Sequence, residues 1–293
     1  MCVYGQAISS KSTFCEGILN SQKSDKNDEE GRNLLRFLIL GCGWIGEALA
    51  ETLVQQGHHV YATTTHSEKY QRLLAVGISA ILANFDEEVD LAHFPKEVDF
   101  ILNSIPAVKR LEQPLLEARF ASVRKVVASI AYRKQLFLSS IGVYPDIDGR
   151  YTERSALGAD AHKLRFAESC MLALPNTIVY RLGGLFGEQR IFAKYFQDKV
   201  CHTGAQLANF IHRDDVLTLI VLGFDQNLSS SCYNLVAPEH PTKRDVILAS
   251  AAKYDFRLPR AFEDQDNFKK FVSGDKIRQE LNYMFQYPSP LDF

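Results

Sequence analysis

Between Leu34 and Thr64 the chain reads LLRFLILGCGWIGEALAETLVQQGHHVYATT, and this stretch leaves few folds open. Its first seven residues form a short apolar run that ends directly on glycine, as a strand buried on both faces of a parallel sheet does. Ile45, Leu49, Leu53 and Val54 then fall on one helical face, Gly57 supplies a C-terminal cap, and HHVYATT resumes as a strand. Strand, helix and strand within about 30 residues make a βαβ unit, whose two strands must lie parallel.

The alternation continues. QRLLAVG reads as helix, ISAILANF and DFILNSI as strands, PLLEARFASVRKVVAS as helix, QLFLSSIGVY as strand, HKLRFAESCMLAL as helix and TIVYRLGGLFG as strand. The fold expected is α/β with a doubly wound parallel sheet of the Rossmann type. After Gly187 the pattern loosens: CYNLV reads as a further strand, PTKRDVILASAAKYD as a helix opened by proline, and SGDKIRQELNY as a short capped helix. Residues 1–33 have no sustained period and include the polar stretch SQKSDKNDEEGR, so they are expected to be a flexible extension.

The glycines carry the first functional statement. In GCGWIG, Gly41 is placed for the tight turn, Gly43 for close approach of a pyrophosphate to the backbone, and Gly46 for close packing of helix on strand. Trp44 and Ile45 complete the loop at a helix N-terminus, which offers unpaired N–H groups and a positive dipole end to phosphates. The usual NAD signature has an acid about 20 residues after the first glycine, on the ribose 2′-hydroxyl. Here Tyr61 through Ser67 contain no acid. Thr64, Thr65, His66 and Ser67, with Lys69 nearby, would instead cradle a 2′-phosphate, which favours NADP over NAD; a plain solvated loop is the alternative. Asn84 falls where a third strand would meet the adenine edge, and Ser104, Ile105 and Pro106 end the next strand beside the cofactor. Ordinary strand-end and turn residues are the other reading of these four.

Composition narrows the partners. A formal net charge of −2 disfavours a protein that grips nucleic acid by its backbone. Cys2, Cys15, Cys42, Cys170, Cys201 and Cys232 form no C-x-x-C pair and no Cys/His cluster, so neither a zinc site nor a disulfide framework is expected. No apolar run reaches the roughly 18 residues of a membrane span, and no signal peptide is evident. A soluble cytoplasmic protein that does not contact membranes is expected.

GCGWIG, LSSIGVY, VYRLGGLFG, NFIHRDDV and YNLVAPEHPTKRDV, in this order and spacing, together resemble the extended short-chain dehydrogenase/reductase superfamily, in its NAD-dependent epimerase/dehydratase group. The resemblance implies a Rossmann domain over residues 34–187, to which residues 208–236 return, and a small substrate domain from residues 188–207 and 237–293. It implies a small-molecule substrate such as a nucleotide sugar; members of the family often form homodimers, which leaves the oligomeric state of this chain open. It reads His212, Arg213 and Asp214 as an interdomain packing element rather than, with Asp215, as metal ligands. Gly183, Gly184 and Leu185 match the segment whose backbone lies against the nicotinamide end; the glycines would either admit the ring or permit a turn.

Such enzymes work with a tyrosine, a lysine four residues later that lowers its pKa, and a Ser or Thr that holds the substrate oxygen. Ser140 matches the last of these, with Ser139 the weaker candidate. The tyrosine and lysine are missing. Counting back from Glu168, which matches a glutamate that often follows the lysine, their positions fall on Asp160 and Leu164, and neither Tyr144 nor Tyr151 has a basic residue four positions on. This resembles an atypical branch that keeps the glycines and loses the phenol. Cofactor binding without the usual oxidoreduction is therefore one expectation; another is a substitute acid/base such as His162, although a surface histidine fits that position better.

Overall fold

The structure, a computed structural model, describes residues 34–108, 110–263 and 265–293. The expectation for residues 1–33 lies outside the described residues.

The first half of the chain comprises β1 (Arg36–Leu40), α1 (Trp44–Gln55), β2 (His59–Thr64), α2 (Ser67–Ala75), β3 (Ser79–Leu82), β4 (Phe100–Asn103), α3 (Gln113–Ala128), β5 (Lys134–Ser140) and β6 (Gly149–Tyr151). Then follow α4 (His162–Leu172), β7 (Thr177–Leu182), β8 (Gly184–Phe186), β9 (Val200–Cys201), β10 (Phe210–His212), α5 (Arg213–Asp225) and β11 (Cys232–Leu235). The last elements are α6 (Lys243–Tyr254), β12 (Ala261–Phe262), β13 (Lys270–Val272) and α7 (Asp275–Glu280).

Seven strands form one sheet in the order β11-β7-β5-β4-β1-β2-β3, and every pairing in it is parallel. The chain starts at β1, runs outward to β3, then crosses back to β4 and runs outward the other way. The reversal opens a crevice at the carboxyl ends of β1 and β4, where ligands of open α/β sheets bind. Side-chain alternation divides the core between the two faces. Phe37 and Ile39 join a cluster with Leu49 and Leu53 of α1 and Leu219 and Ile220 of α5; Leu38 and Leu40 join another with Leu116 and Phe120 of α3 and Met171 of α4.

The structure adds elements that the periodicity leaves out. Helix α5 is buried on nearly every face, so its sequence RDDVLTLIVLGFD shows no clean amphipathic stripe. Gly223 within it is needed because a Cβ there would run into the Tyr180 hydroxyl, which itself donates to the Leu219 carbonyl (3.2 Å). The single strand expected over TIVYRLGGLFG is in fact two. Gly183 N–H donates to Leu235 O (2.9 Å) and Gly184 N–H to Asn209 O (2.8 Å), so the chain changes partners there and β8 pairs with β10 outside the main sheet. Helix α6 is opened by a Thr242–Asp245 capping box rather than by Pro241, whose carbonyl accepts from Ala208 N–H.

The segments after β8 are sewn to the sheet by buried polar groups. Asp215, at the start of α5, accepts from the Tyr283 hydroxyl (2.7 Å), Gln286 N–H (2.7 Å) and Tyr287 N–H (3.2 Å), which fastens the C-terminal segment. Lys270 of β13 donates to Tyr144 O (3.0 Å) and pairs with Asp146 (2.9 Å), which fastens β13 to the loop after β5. Asp215 thus serves packing; among the described residues no group of three or more His, Cys, Asp or Glu is placed to hold a metal ion. Nor is any helix among them long and apolar enough to cross a membrane.

Candidate functional site

The glycine loop joins β1 to α1 at the mouth of the crevice, and each glycine in it has a distinct reason to be there. Gly41 has φ +79°, a left-handed conformation that side chains disfavour, and a Cβ would also meet Ile105 Cδ1 at 3.1 Å and the Ser104 carbonyl at 3.2 Å. Gly46 has no room: a Cβ would lie 2.9 Å from Ile39 Cγ2 and 3.0 Å from Gly41 O. Gly43 is the opposite case. It is exposed, and a Cβ would point into open space, with Gly41 O at 4.0 Å its nearest neighbour. Packing therefore explains Gly41 and Gly46, while nothing within the protein requires Gly43 to lack a side chain.

Thr63 of β2 holds the turn by accepting from Gly41 N–H on its hydroxyl (2.8 Å) and from Cys42 N–H on its carbonyl (2.9 Å). Helix α1 begins with no side-chain cap, and among the described residues no acceptor answers the N–H groups of Trp44, Ile45 and Gly46. Open N–H groups at the positive end of a helix dipole are an arrangement to which anions bind. These residues fit the dinucleotide pyrophosphate that the sequence predicts. Cys42 faces inward, and burial pushes its thiol up to about 11, so it remains protonated at neutral pH.

Ser104 and Ile105, at the end of β4, touch this loop. Ser104 Oγ donates to Gly41 O (2.5 Å), and Ile105 is buried against Gly41. Arg119 of α3, which the sequence reading missed, grips Asp86 through two hydrogen bonds (2.6 and 2.7 Å) and donates to Pro106 O (2.9 Å). It ties the loop after β3 to the loop after β4. Asn84 is half-buried, and its side chain closes that first loop, donating to Glu87 (2.7 Å) and accepting from Asp86 N–H (3.1 Å).

At the end of β2, Thr65, His66 and Ser67 are exposed, while Thr64 is buried and its hydroxyl accepts from His66 N–H (3.3 Å). Lys69 is not a free charge. It donates to the Cys42 carbonyl and to Glu47 (2.7 Å), whose other oxygen pairs with Arg72 (2.5 Å). Burial raises the Glu47 carboxyl, but the hydrogen bonds from Lys69 and Arg72 outweigh it and hold the group below the usual carboxylate range. Two cations share one carboxylate, so this trio keeps a net positive charge.

The other end of the crevice is braced from behind by buried side chains. Ser140 ends β5 half-buried, with its hydroxyl accepting from Gly142 N–H (3.1 Å). A Cβ on Gly142 would meet Leu164 Cδ1 at 3.3 Å and Ser140 Oγ at 3.4 Å, so Leu164 of α4 flanks Ser140. Leu164 stands where the resemblance puts the lysine, and it packs on Val143, Tyr144 and Tyr151. Asp160 and His162 are exposed. Behind Ser140 lies a satisfied polar network. Ser139 Oγ donates to Glu168 (2.6 Å); Arg181 donates to both Glu168 oxygens (3.0 and 2.7 Å) and to the Tyr144 hydroxyl (2.9 Å); Tyr144 donates to Asn234 (2.8 Å). Burial pushes the Tyr144 phenol up, and Arg181 only partly offsets this. Ser139 therefore serves the network, and Tyr144 is no substitute for the missing tyrosine.

Gly183 and Gly184 need a correction. A Cβ on either would collide with Asn209 O or the Phe210 ring, so their bareness admits β10 rather than a nicotinamide ring. Leu185 is half-buried and packs on the α1 side of the core, in register with Ile211.

With this geometry the comparisons agree. Residues 37–166 match the model of the NAD dependent epimerase/dehydratase family. Protein YeeZ of Escherichia coli (strain K12) is 29% identical over 269 residues, covering 87% of this chain and 97% of that protein. A functionally unknown conserved protein from Silicibacter pomeroyi shares the fold with a TM-score of 0.71 at 24% identity, over 88% of this chain and 96% of that one. So does UDP-glucuronic acid 4-epimerase from Bacillus cereus, solved in complex with UDP-glucuronic acid and NAD, with a TM-score of 0.71 at 15% identity and the same coverage. Over residues 37–166, which carry the glycine loop and the first five strands of the sheet, the chain is thus similar to the NAD dependent epimerase/dehydratase family.

Proposed function

We propose that this protein binds NADP, in preference to NAD, and acts on a small polar substrate of the nucleotide-sugar class. The observation that carries the cofactor assignment is Gly43: an exposed position with open space where its Cβ would be, followed by three unanswered N–H groups. Trp44, Ile45 and Gly46 would hold the pyrophosphate. Thr65, His66 and Ser67 would hold the 2′-phosphate, supported by the net positive Lys69–Glu47–Arg72 cluster and by the lack of an acid at the end of β2. Asn84 would border the adenine, and Ser104 to Pro106 the nicotinamide ribose. The substrate would lie between Ser140 and the segments 188–207 and 237–293; the Bacillus cereus epimerase of the same fold was solved with UDP-glucuronic acid.

The nicotinamide, when bound, supplies a hydride donor or acceptor. For its part, the chain offers the Ser140 hydroxyl to hold a substrate oxygen, and Leu164 to exclude water beside it. It offers no phenol and no ammonium at the positions of Asp160 and Leu164. That observation favours a second reading, a dinucleotide-binding protein that does not move a hydride. Thermal unfolding with added NADPH or NADH tests the cofactor, because a ligand selective for the folded state raises the midpoint. NADPH should raise it more than NADH; no rise with either would overturn both readings. Ser140→Ala then separates them: it should abolish turnover of a nucleotide sugar, and leave NADPH binding intact, only if the protein is an enzyme.

A further inference from the structure

The loop after β8 carries a guanidinium that no other part of the site explains. Arg190 is exposed, and its Cζ stands 4.4 Å from the centre of the Trp44 ring. Trp44 is the residue that follows Gly43 and opens α1. The placement is built rather than incidental. Gly187 has φ +145°, and a Cβ there would lie 3.3 Å from Trp44 Cη2, so only glycine lets this loop come down onto the ring. The Arg190 N–H donates to Gly187 O (2.9 Å) and closes the turn that points the side chain back.

The neighbouring cations differ from Arg190 in one respect. Arg213 also faces the Trp44 ring (5.2 Å), but it pairs with Glu188 (3.5 Å) and Asp214 (3.4 Å). Lys69 and Arg72 share Glu47. Among the described residues no carboxylate pairs with Arg190, so its charge is held in place by the ring and answered by nothing. The Trp44 indole N–H is likewise buried without an acceptor. A fixed, uncompensated cation beside a helix N-terminus with three open N–H groups complements a ligand that brings two negative charges to one spot.

We infer that Arg190 is the counter-charge for the dinucleotide pyrophosphate, and that Trp44 is the platform that positions it. The loop 187–190 then acts as a strap over the glycine loop, adding affinity from outside the βαβ unit. This rests on the reading that the glycine loop holds a dinucleotide.

The test is calorimetric titration of the full chain and its variants with NADPH and with adenosine 2′-monophosphate, which lacks the pyrophosphate. Arg190→Gln should weaken NADPH five- to twentyfold and leave adenosine 2′-monophosphate unchanged. Arg190→Lys, which keeps the charge but not the planar stack, should recover part of the loss. Because an exposed side chain is altered, the unfolding midpoint of the free protein should stay within about a degree. Trp44 is the single tryptophan, so its emission reports the strap directly: it should change on Arg190→Gln and on adding NADPH to the unmodified protein. Equal NADPH affinity in Arg190→Gln and the unmodified chain would overturn the inference while leaving the cofactor reading intact. Equal weakening of both ligands would also overturn it. Failure of the unmodified chain to bind NADPH would overturn the cofactor reading itself, and this inference with it.

Discussion

The two ends of the crevice are built on opposite principles. At the β1–α1 end the protein leaves things open: an exposed glycine, three N–H groups without acceptors, and a guanidinium stacked on an indole with no carboxylate. At the β5–α4 end the polar groups behind Ser140 are answered by one another. Leu164 packs beside Ser140, and the Ser139–Glu168–Arg181–Tyr144–Asn234 network satisfies its members internally. Open polar groups at a surface cost little because water serves them until a ligand arrives. A buried ion pair must be complete, because removing one partner strands the other. On the proposed function, the first end is organised around an anion, while the network behind the second serves stability.

The largest expected effect lies at the β5–α4 end. Glu168→Ala leaves the Arg181 guanidinium buried without its carboxylate and should cost roughly 3–5 kcal/mol, or about 10 °C in the unfolding midpoint. Protein that remains folded should bind NADPH as before. Loss of both together would show that the two ends are coupled and break the contrast.

Within the glycine loop itself the contrast can be sharpened. Gly46→Val should destabilise the fold by about 1–3 kcal/mol, because Ile39 and Gly41 already fill the space. Gly43→Val should cost no more than about 1 kcal/mol, the loss of a favourable helix N-cap, yet weaken NADPH at least tenfold. Thermal midpoints and titrations on the pair check this, and equal affinity in Gly43→Val would remove the main support for a phosphate there.

The smallest effect concerns the cation cluster. Glu47→Gln leaves Lys69 and Arg72 without their shared carboxylate and should raise the ratio of NADPH to NADH affinity two- to fivefold. The pH sign follows from the depressed carboxyl. Its contribution to stability is present above the unfolded pKa and is lost as pH falls through the lower folded value. Acid unfolding of Glu47→Gln should therefore lack this part of the pH dependence, as a pH series of thermal midpoints would show.

Much of this was legible in the sequence because it is local. Strands β1 to β5 and helices α1 to α4 follow from apolar runs and helical periods, and the roles of Gly41 and Gly46 follow from a turn and a packing contact inside one βαβ unit. What was not legible is long-range. The apolar all-round pattern of α5 gives no period because its neighbours enclose it. Gly183 and Gly184 read as room for a ligand, but Asn209 and Phe210 fill that room. Lys69 read as a charge for the 2′-phosphate, but Glu47, on the preceding helix, takes much of it. Arg119 and Arg190 carry no motif at all.

The sequence by itself determined that this chain winds a parallel sheet, ends its first strand on a glycine loop, and lacks a tyrosine and a lysine where the family resemblance expects them. These are properties of residue type and spacing, and no folding is needed to read them. Only the tertiary structure decided which charges remain available. A side chain's charge is set by what the fold brings within a few ångströms, and that left Arg190 unpaired over Trp44 while Arg181, Lys69 and Arg213 found partners.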